Sequence, residues 1–143
     1  MPSTAYTGGR QTLFHYTDEA GMNAIVSSQE LRVSTGATHA RFGDGQYLTD
    51  LVPETIGART VGQLSAEQIN NGLISGGQAS KLLFNDARKL GKLTNFVEID
   101  VTGLSVRQGM NASGTAARNN VQFIIDHNNM NLSGRIVRSG RTF

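Results

Sequence analysis

The stretch at residues 13–54 constrains the fold of this chain more than any other part of the sequence. It opens with an apolar run that ends in polar residues, Leu13-Phe14-His15-Tyr16-Thr17, as is typical of a β-strand. It closes with a glycine-punctuated aromatic run, Phe42-Gly43-Asp44-Gly45-Gln46-Tyr47-Leu48-Thr49-Asp50. Two glycines around one residue allow the backbone to approach a ligand closely. The intervening chain is long enough for a helix and a return strand, so His15 and Tyr47 can face one cleft.

Apolar periodicity and capping residues predict the remaining elements. Strands are expected at residues 11–16, 31–33, 46–49, 93–101, 121–125 and 135–138. Thr17 is expected to cap a helix over 18–28, Ser65 to cap one within a partly helical 54–71, and a third helix to cover 80–90. The polar segment 108–120 is expected to be a loop. Short strands with helices grouped between them predict an α+β fold and not a doubly wound parallel sheet.

Composition fits one globular domain over residues 1–143, with residues 1–10 as a loose polar leader. Hydrophobic residues make up 38% and charged residues 17%, and no apolar run approaches the ~20 residues of a membrane span. The absence of cysteine excludes disulfides and thiolate chemistry. His15, His39 and His127 lack ligand-like spacing with carboxylates, so no metal site is expected.

The net charge of +2 is mildly basic, and three arginines gather near the end of the chain, Arg135, Arg138 and Arg141. The favoured interpretation is a solvated final strand and tail. The alternative is contact with a polyanion such as RNA.

The order His-Tyr-Thr, helix, Leu-Arg-Val, then Phe-Gly-x-Gly-x-Tyr-Leu-Thr-Asp resembles the NAD-binding core of the diphtheria-toxin and poly(ADP-ribose) polymerase superfamily. More narrowly, it resembles the bacterial polymorphic-toxin branch with a His-Tyr-Asp signature. Further blocks at 96–104 and 131–137 continue the resemblance, which covers most of residues 13–140. It implies a mixed or antiparallel split sheet with few short helices.

The resemblance implies NAD as the substrate and gives roles to individual residues. His15 would hydrogen-bond the adenosine-ribose hydroxyls, Tyr16 would bind the nicotinamide amide through its backbone, and Tyr47 would stack on nicotinamide. Thr17, Phe42 and Gly43 complete the predicted NAD-binding set. A satisfied strand-edge histidine and aromatic rings packed in the sheet are the structural alternatives.

Two positions depart from the family pattern. Where many relatives place a second stacking aromatic, this chain has Ala58, so Phe42 or Phe96 would cover the other ring face or it would stay open. Where the family would place a catalytic aspartate, this chain has Asn131. Asparagine keeps hydrogen bonding but lacks the charge that stabilises a cationic ribose. An inactivated variant is the favoured interpretation; a natively weak domain, or Asp126 in the catalytic role, are the alternatives.

The implied function is that of an NAD-dependent ADP-ribosyltransferase effector acting on a protein or RNA, with His15, Tyr47 and Asn131 at the catalytic positions. The alternatives are an NAD glycohydrolase on the same fold and a silent NAD-binding or interaction module. Glu98 and Asp100 are interpreted as structural or solvated. The resemblance further implies a monomeric toxin domain delivered by a larger carrier into the target-cell cytoplasm, with a cognate immunity protein and without membrane or metal partners.

Overall fold

The computed structural model describes residues 3–35, 42–110, 118–125 and 129–143. Within these ranges the chain forms short strands, three α-helices and three 3-10 turns. The helices are α1 (Glu19–Ser28), α2 (Ala66–Asn70) and α3 (Gly76–Phe84). The strands are β1 (Ser3–Ala5), β2 (Thr12–Thr17), β3 (Glu30–Leu31), β4 (Gln46–Leu48), β5 (Ile56–Ala58), β6 (Ile74–Ser75), β7 (Asn95–Asp100), β8 (Val106–Met110), β9 (Arg118–Ile124), β10 (Met130–Asn131) and β11 (Ile136–Arg141).

Two antiparallel sheets, with strand orders β1-β8-β9-β4 and β11-β7-β2, form the body of the fold. They meet at one bridge between β2 and the end of β4, where Phe14 and Thr49 exchange two backbone hydrogen bonds of 2.8 Å. Smaller pairs, antiparallel β10-β3 and parallel β5-β6, flank the sheets. The predicted α+β fold with a split, mostly antiparallel sheet is therefore confirmed.

Strands β2 and β7 form a wall between two hydrophobic cores. Alternate residues of a strand point to opposite faces. Leu13 and Ile99 accordingly enter a first core with α1, whereas Phe14, Tyr16 and Phe96 enter a second core with α3. Burial on both faces explains why these strands carry nearly continuous apolar runs.

Capping side chains set the helix ends, and they shift two predicted elements. Asp18 caps α1 in place of the predicted Thr17, because its Oδ1 accepts the Gly21 N–H at 2.7 Å. Ser65 caps α2 as predicted. The helix predicted at 80–90 is instead α3 at Gly76–Phe84, because Ser75 and Gln78 form a reciprocal capping box and Asn85 ends the helix with φ of 55°.

The polar segment predicted as a loop at 108–120 contributes to two strands in its described part. Gln108 lies in β8 and is paired with Gln122 of β9, and a 2.6 Å bond joins their buried side-chain amides. Ser3–Ala5, predicted as part of a loose leader, forms the edge strand β1 against β8. Backbone pairing and satisfied amides stabilise these strands, so hydropathy gave no sign of them. The single-domain description of residues 1–143 stays a prediction.

Gly45 provides a test of the strand packing at the start of β4. It pairs with Ser34 on one side, and a Cβ there would lie 2.5 Å from the carbonyl oxygen of Ile124. We expect Gly45→Ala to lower the free energy of unfolding by about 1–3 kcal/mol, because backbone must shift to relieve the overlap. Urea denaturation measures the change.

The matched control is Gly62→Ala, because a Cβ at Gly62 meets nothing within 4 Å. Its effect on the unfolding free energy should stay within about 0.5 kcal/mol. Equal stabilities of the two variants would contradict the close approach of Gly45 to β9.

Candidate functional site

A cavity of about 300 Å³ lies where the two sheets separate. β2 contributes His15, Tyr16 and Thr17 to its lining, and β4 contributes Tyr47. The lining also includes Asp18 at the start of α1 and, after α3, Lys89 and Lys92. Concave sites of this size, mostly apolar with a few polar groups, are typical of small-molecule binding.

A side-chain hydrogen bond ties His15 to the strand that carries Tyr47. Its Nδ1 lies 2.8 Å from the Tyr47 carbonyl oxygen. A carbonyl oxygen can only accept, so Nδ1 carries the hydrogen, and Nε2 of the neutral ring is an acceptor. Burial lowers the pKa of His15, and the bond to Tyr47 opposes that effect only in part. The ring is therefore neutral at pH 7, and its Nε2 can accept a hydrogen bond from a hydroxyl group.

Tyr47 belongs to a cluster of three stacked aromatic rings. Its ring centroid lies 5.2 Å from that of Phe123 and 6.4 Å from that of Phe42. Its hydroxyl donates to the Gly43 carbonyl at 2.7 Å and accepts the Phe42 N–H at 2.8 Å. Tyr47 thus holds the glycine-rich turn in place while its half-buried ring still lines the cavity.

Phe42 and Phe96, the two aromatics predicted to cover the other face of nicotinamide, are not among the described residues that line the cavity. Phe42 stacks on Tyr47 itself, whereas Phe96 packs edge-on against Phe14 in the second core. The sequence reasoning missed Phe123. The sequence does place Phe123 in the apolar run of the predicted strand 121–125. The structure adds that Phe123 stands directly opposite Tyr47 in the strand register.

Tyr16 presents its peptide group to the cavity, not its side chain. The ring is 7% exposed and its hydroxyl donates to the Leu51 carbonyl, so the phenol is structural. Burial raises the pKa of the Tyr16 phenol well above its usual value. Phe14 directs its N–H and C=O to Thr49, and in an extended strand the groups two residues later point the same way. The N–H and C=O of Tyr16 therefore point into the gap between β2 and β4.

Asn131 is not among the residues that line the cavity. It pairs with Glu30 across β10 and β3, and its Oδ1 accepts the Ser133 N–H at 2.8 Å, which closes a turn. The structure brings together His15, Tyr16, Thr17 and Tyr47, with Phe42 and Gly43 behind Tyr47, and leaves Asn131 elsewhere. Asp126, the alternative third residue, lies outside the described residues. Asp18 is the only carboxylate among the described lining residues.

The other charged candidates have structural partners. Burial acts to raise the pKa of Glu98, but hydrogen bonds from Thr12 and Arg138 outweigh it and lower that pKa. Arg138 also pairs with Glu54 at 2.5 Å. Arg135 donates to two backbone carbonyls, those of Asp100 and Thr102. Arg141 donates to the Phe143 carbonyl at 3.5 Å, so all three late arginines have partners within the fold.

The described ranges contain no cluster of three or more metal-ligating side chains. Nor does any helix within them have the length and apolar character needed to cross a membrane.

Comparison with protein-family models gives one assignment. The model described as "HYD1 signature containing ADP-ribosyltransferase" matches residues 13–136, which include the whole cavity lining. The chain belongs to this ADP-ribosyltransferase toxin family. Neither the curated proteins nor the solved structures compared with it give a match. Membership confirms the resemblance inferred from the motifs and implies NAD as the substrate of this ADP-ribosyltransferase.

The lowered pKa of His15 makes a prediction about the pH dependence of folding. As pH falls below about 6.5, the unfolded chain takes up a proton that folded His15 does not, so the free energy of unfolding decreases. His15→Asn preserves an N–H donor for the Tyr47 carbonyl but cannot ionise. Between pH 7.5 and 5.5, the wild type should lose up to about 1.4 kcal/mol more than this variant in urea denaturation.

Carboxylates contribute equally to both proteins in that pH range, so the difference isolates His15. Parallel pH profiles would contradict a buried neutral imidazole at this position.

Proposed function

We propose that the domain binds NAD in the cavity between β2 and β4 and transfers its ADP-ribose to a macromolecular acceptor, a protein or an RNA. The observation that carries the proposal is the hydrogen bond from His15 Nδ1 to the Tyr47 carbonyl. It holds the two motif residues of an ADP-ribosyltransferase family member on one cavity. It also selects the histidine tautomer that accepts a ribose hydroxyl.

The described residues fit the polar and aromatic parts of NAD. The Tyr47 ring offers a stacking surface for nicotinamide, and the outward peptide of Tyr16 offers one donor and one acceptor for its amide. Thr17 lines the same cavity. Orientation by several fixed groups lowers the barrier because a bound, aligned substrate has already lost its rotational freedom.

The reaction replaces one bond to the ribose C1′ with another. The bond between C1′ and the nicotinamide nitrogen breaks, and its electron pair leaves with nicotinamide, which becomes neutral. A nucleophilic oxygen or nitrogen of the acceptor bonds to C1′ and releases a proton to solvent. Positive charge grows on the ribose in between, so a nearby negative group would accelerate the step.

Membership of a toxin family supports further proposals about the setting. We propose delivery by a larger carrier into the target-cell cytoplasm, action as a monomer, and neutralisation by a cognate immunity protein.

Labelled NAD incubated with cell lysate tests the proposed reaction. Label transferred to protein or RNA supports the transferase, whereas free labelled ADP-ribose alone would identify a glycohydrolase. Tyr47→Ala should weaken NAD binding by about tenfold or more, because aromatic stacking on a base is worth roughly 1–3 kcal/mol. Tyr47→Phe is the matched control, since it keeps the ring and removes the hydroxyl that contacts Phe42 and Gly43.

If Tyr47→Ala binds NAD as tightly as Tyr47→Phe does, the stacking role is wrong. If the wild type neither binds nor consumes NAD, the proposed function is wrong.

The same assay tests the role of Asn131. The sequence pattern predicts that Asn131→Asp restores a missing charge and raises nicotinamide release by ~10²-fold or more. The exposed position of Asn131 at the end of β10, outside the cavity lining, favours another outcome. We expect Asn131→Asp to change the rate by less than about threefold, as for a surface substitution away from the reacting atoms. A hundredfold gain would instead establish Asn131 as the third catalytic position.

A further inference from the structure

The cavity has a cationic wall that the motifs do not include. Lys89 and Lys92 line it from the segment between α3 and β7. Among the described residues that line the cavity, these two are the only lysine or arginine side chains. A dinucleotide carries two negative phosphates between its ribose groups.

We propose that Lys89 and Lys92 bind the diphosphate of the dinucleotide and position it in the cavity that His15 and Tyr47 also line. The inference rests on the proposed function and adds two positioning residues to it.

The backbone that carries the lysines is held by buried groups. The fully buried Ser80 hydroxyl accepts the Lys89 N–H at 3.1 Å and donates to the Asp86 carbonyl. A 3-10 turn, Leu90–Lys92, follows, and the next residue, Leu93, is fully buried. The two ammonium groups therefore start from a fixed turn, which reduces the entropy lost on binding an anion.

Neither lysine takes part in an ion pair within the described part of the chain, where the ion-paired cations are Arg88 and Arg138. The charge of Lys89 helps to lower the pKa of the Asp86 carboxyl, although the hydrogen bonds from Arg88 contribute most to that shift. Asp86, three residues before Lys89, instead pairs with Arg88 at 3.0 Å. Bound phosphates would supply the missing negative charge.

The N-terminus of α1 is the other positive feature at the cavity, and the Asp18 carboxylate neutralises it. The N-terminus of α1 lies beside Asp18, whose carboxylate accepts the Gly21 N–H. An acidic cap satisfies that helix end and repels a second anion. The lysines, not the helix, are thus the phosphate-binding feature of this cavity.

Calorimetry with NAD, ADP-ribose and nicotinamide tests the proposal, using the Lys89→Gln/Lys92→Gln double variant. We expect it to bind NAD and ADP-ribose about tenfold more weakly than the wild type, as for the loss of two partly exposed charge contacts. Nicotinamide, which has no phosphate, should bind equally. Raising the salt concentration should weaken NAD binding to the wild type more than to the double variant.

Lys81→Gln is the matched control, because Lys81 is exposed on α3 and lies outside the cavity lining. It should leave NAD affinity unchanged. Wild-type NAD binding together with unchanged affinity in the double variant would overturn this inference and leave the proposed function standing. An equal loss for nicotinamide would also overturn it. A wild type that binds no NAD would overturn both.

Discussion

The site depends on the limited backbone pairing between strands β2 and β4, which join the two sheets. Phe14 and Thr49 exchange two hydrogen bonds, and the next residue of β2, His15, donates from its ring to the Tyr47 carbonyl. These contacts fix the position of the histidine relative to the tyrosine strand. Beyond them, the peptide of Tyr16 points into the gap, where the described part of the structure gives it no strand partner. Full pairing of β2 with β4 would fill the cavity, and no pairing would leave His15 and Tyr47 without a fixed separation.

Tyr47 has a structural role and a proposed role in NAD binding, and the contributions of its hydroxyl and of its ring can be separated by mutation. The hydroxyl joins Phe42 and Gly43, while the ring stacks with Phe123 across the strand pair and lines the cavity. Removing the whole side chain therefore disturbs the glycine-rich turn as well as any stacking on a ligand. Removing the hydroxyl alone keeps the ring and removes the two hydrogen bonds to the turn. Placing a recognition ring on a strand held from both sides gives a binding surface that needs little reorganisation.

Apolar runs and caps were enough to predict the elements that carry the motifs, among them β2, β4, β7, α1 and the Ser65 cap. Strands β1 and β8 were not predicted, because their sequences are largely polar and the Gln108 side chain is satisfied inside the sheet by the amide of Gln122, in the predicted part of β9. The meeting of His15 with Tyr47 followed from the family resemblance and not from periodicity. Two features could not be predicted from the sequence. The first is that Lys89 and Lys92 line the cavity, because they reach it through the turn after α3. The second is that Asn131, which matches a motif position, uses its side chain to close a local turn.

The most direct test of NAD binding between β2 and β4 is a crystal structure with a non-cleavable NAD analogue in which a methylene replaces the ribose ring oxygen. The account predicts nicotinamide against the Tyr47 ring, its amide on the Tyr16 peptide, and a ribose hydroxyl within hydrogen-bond distance of His15 Nε2. A second, more open groove lies beside Glu54 and Arg141. An analogue bound there, or anywhere outside the His15–Tyr47 cavity, would contradict the account.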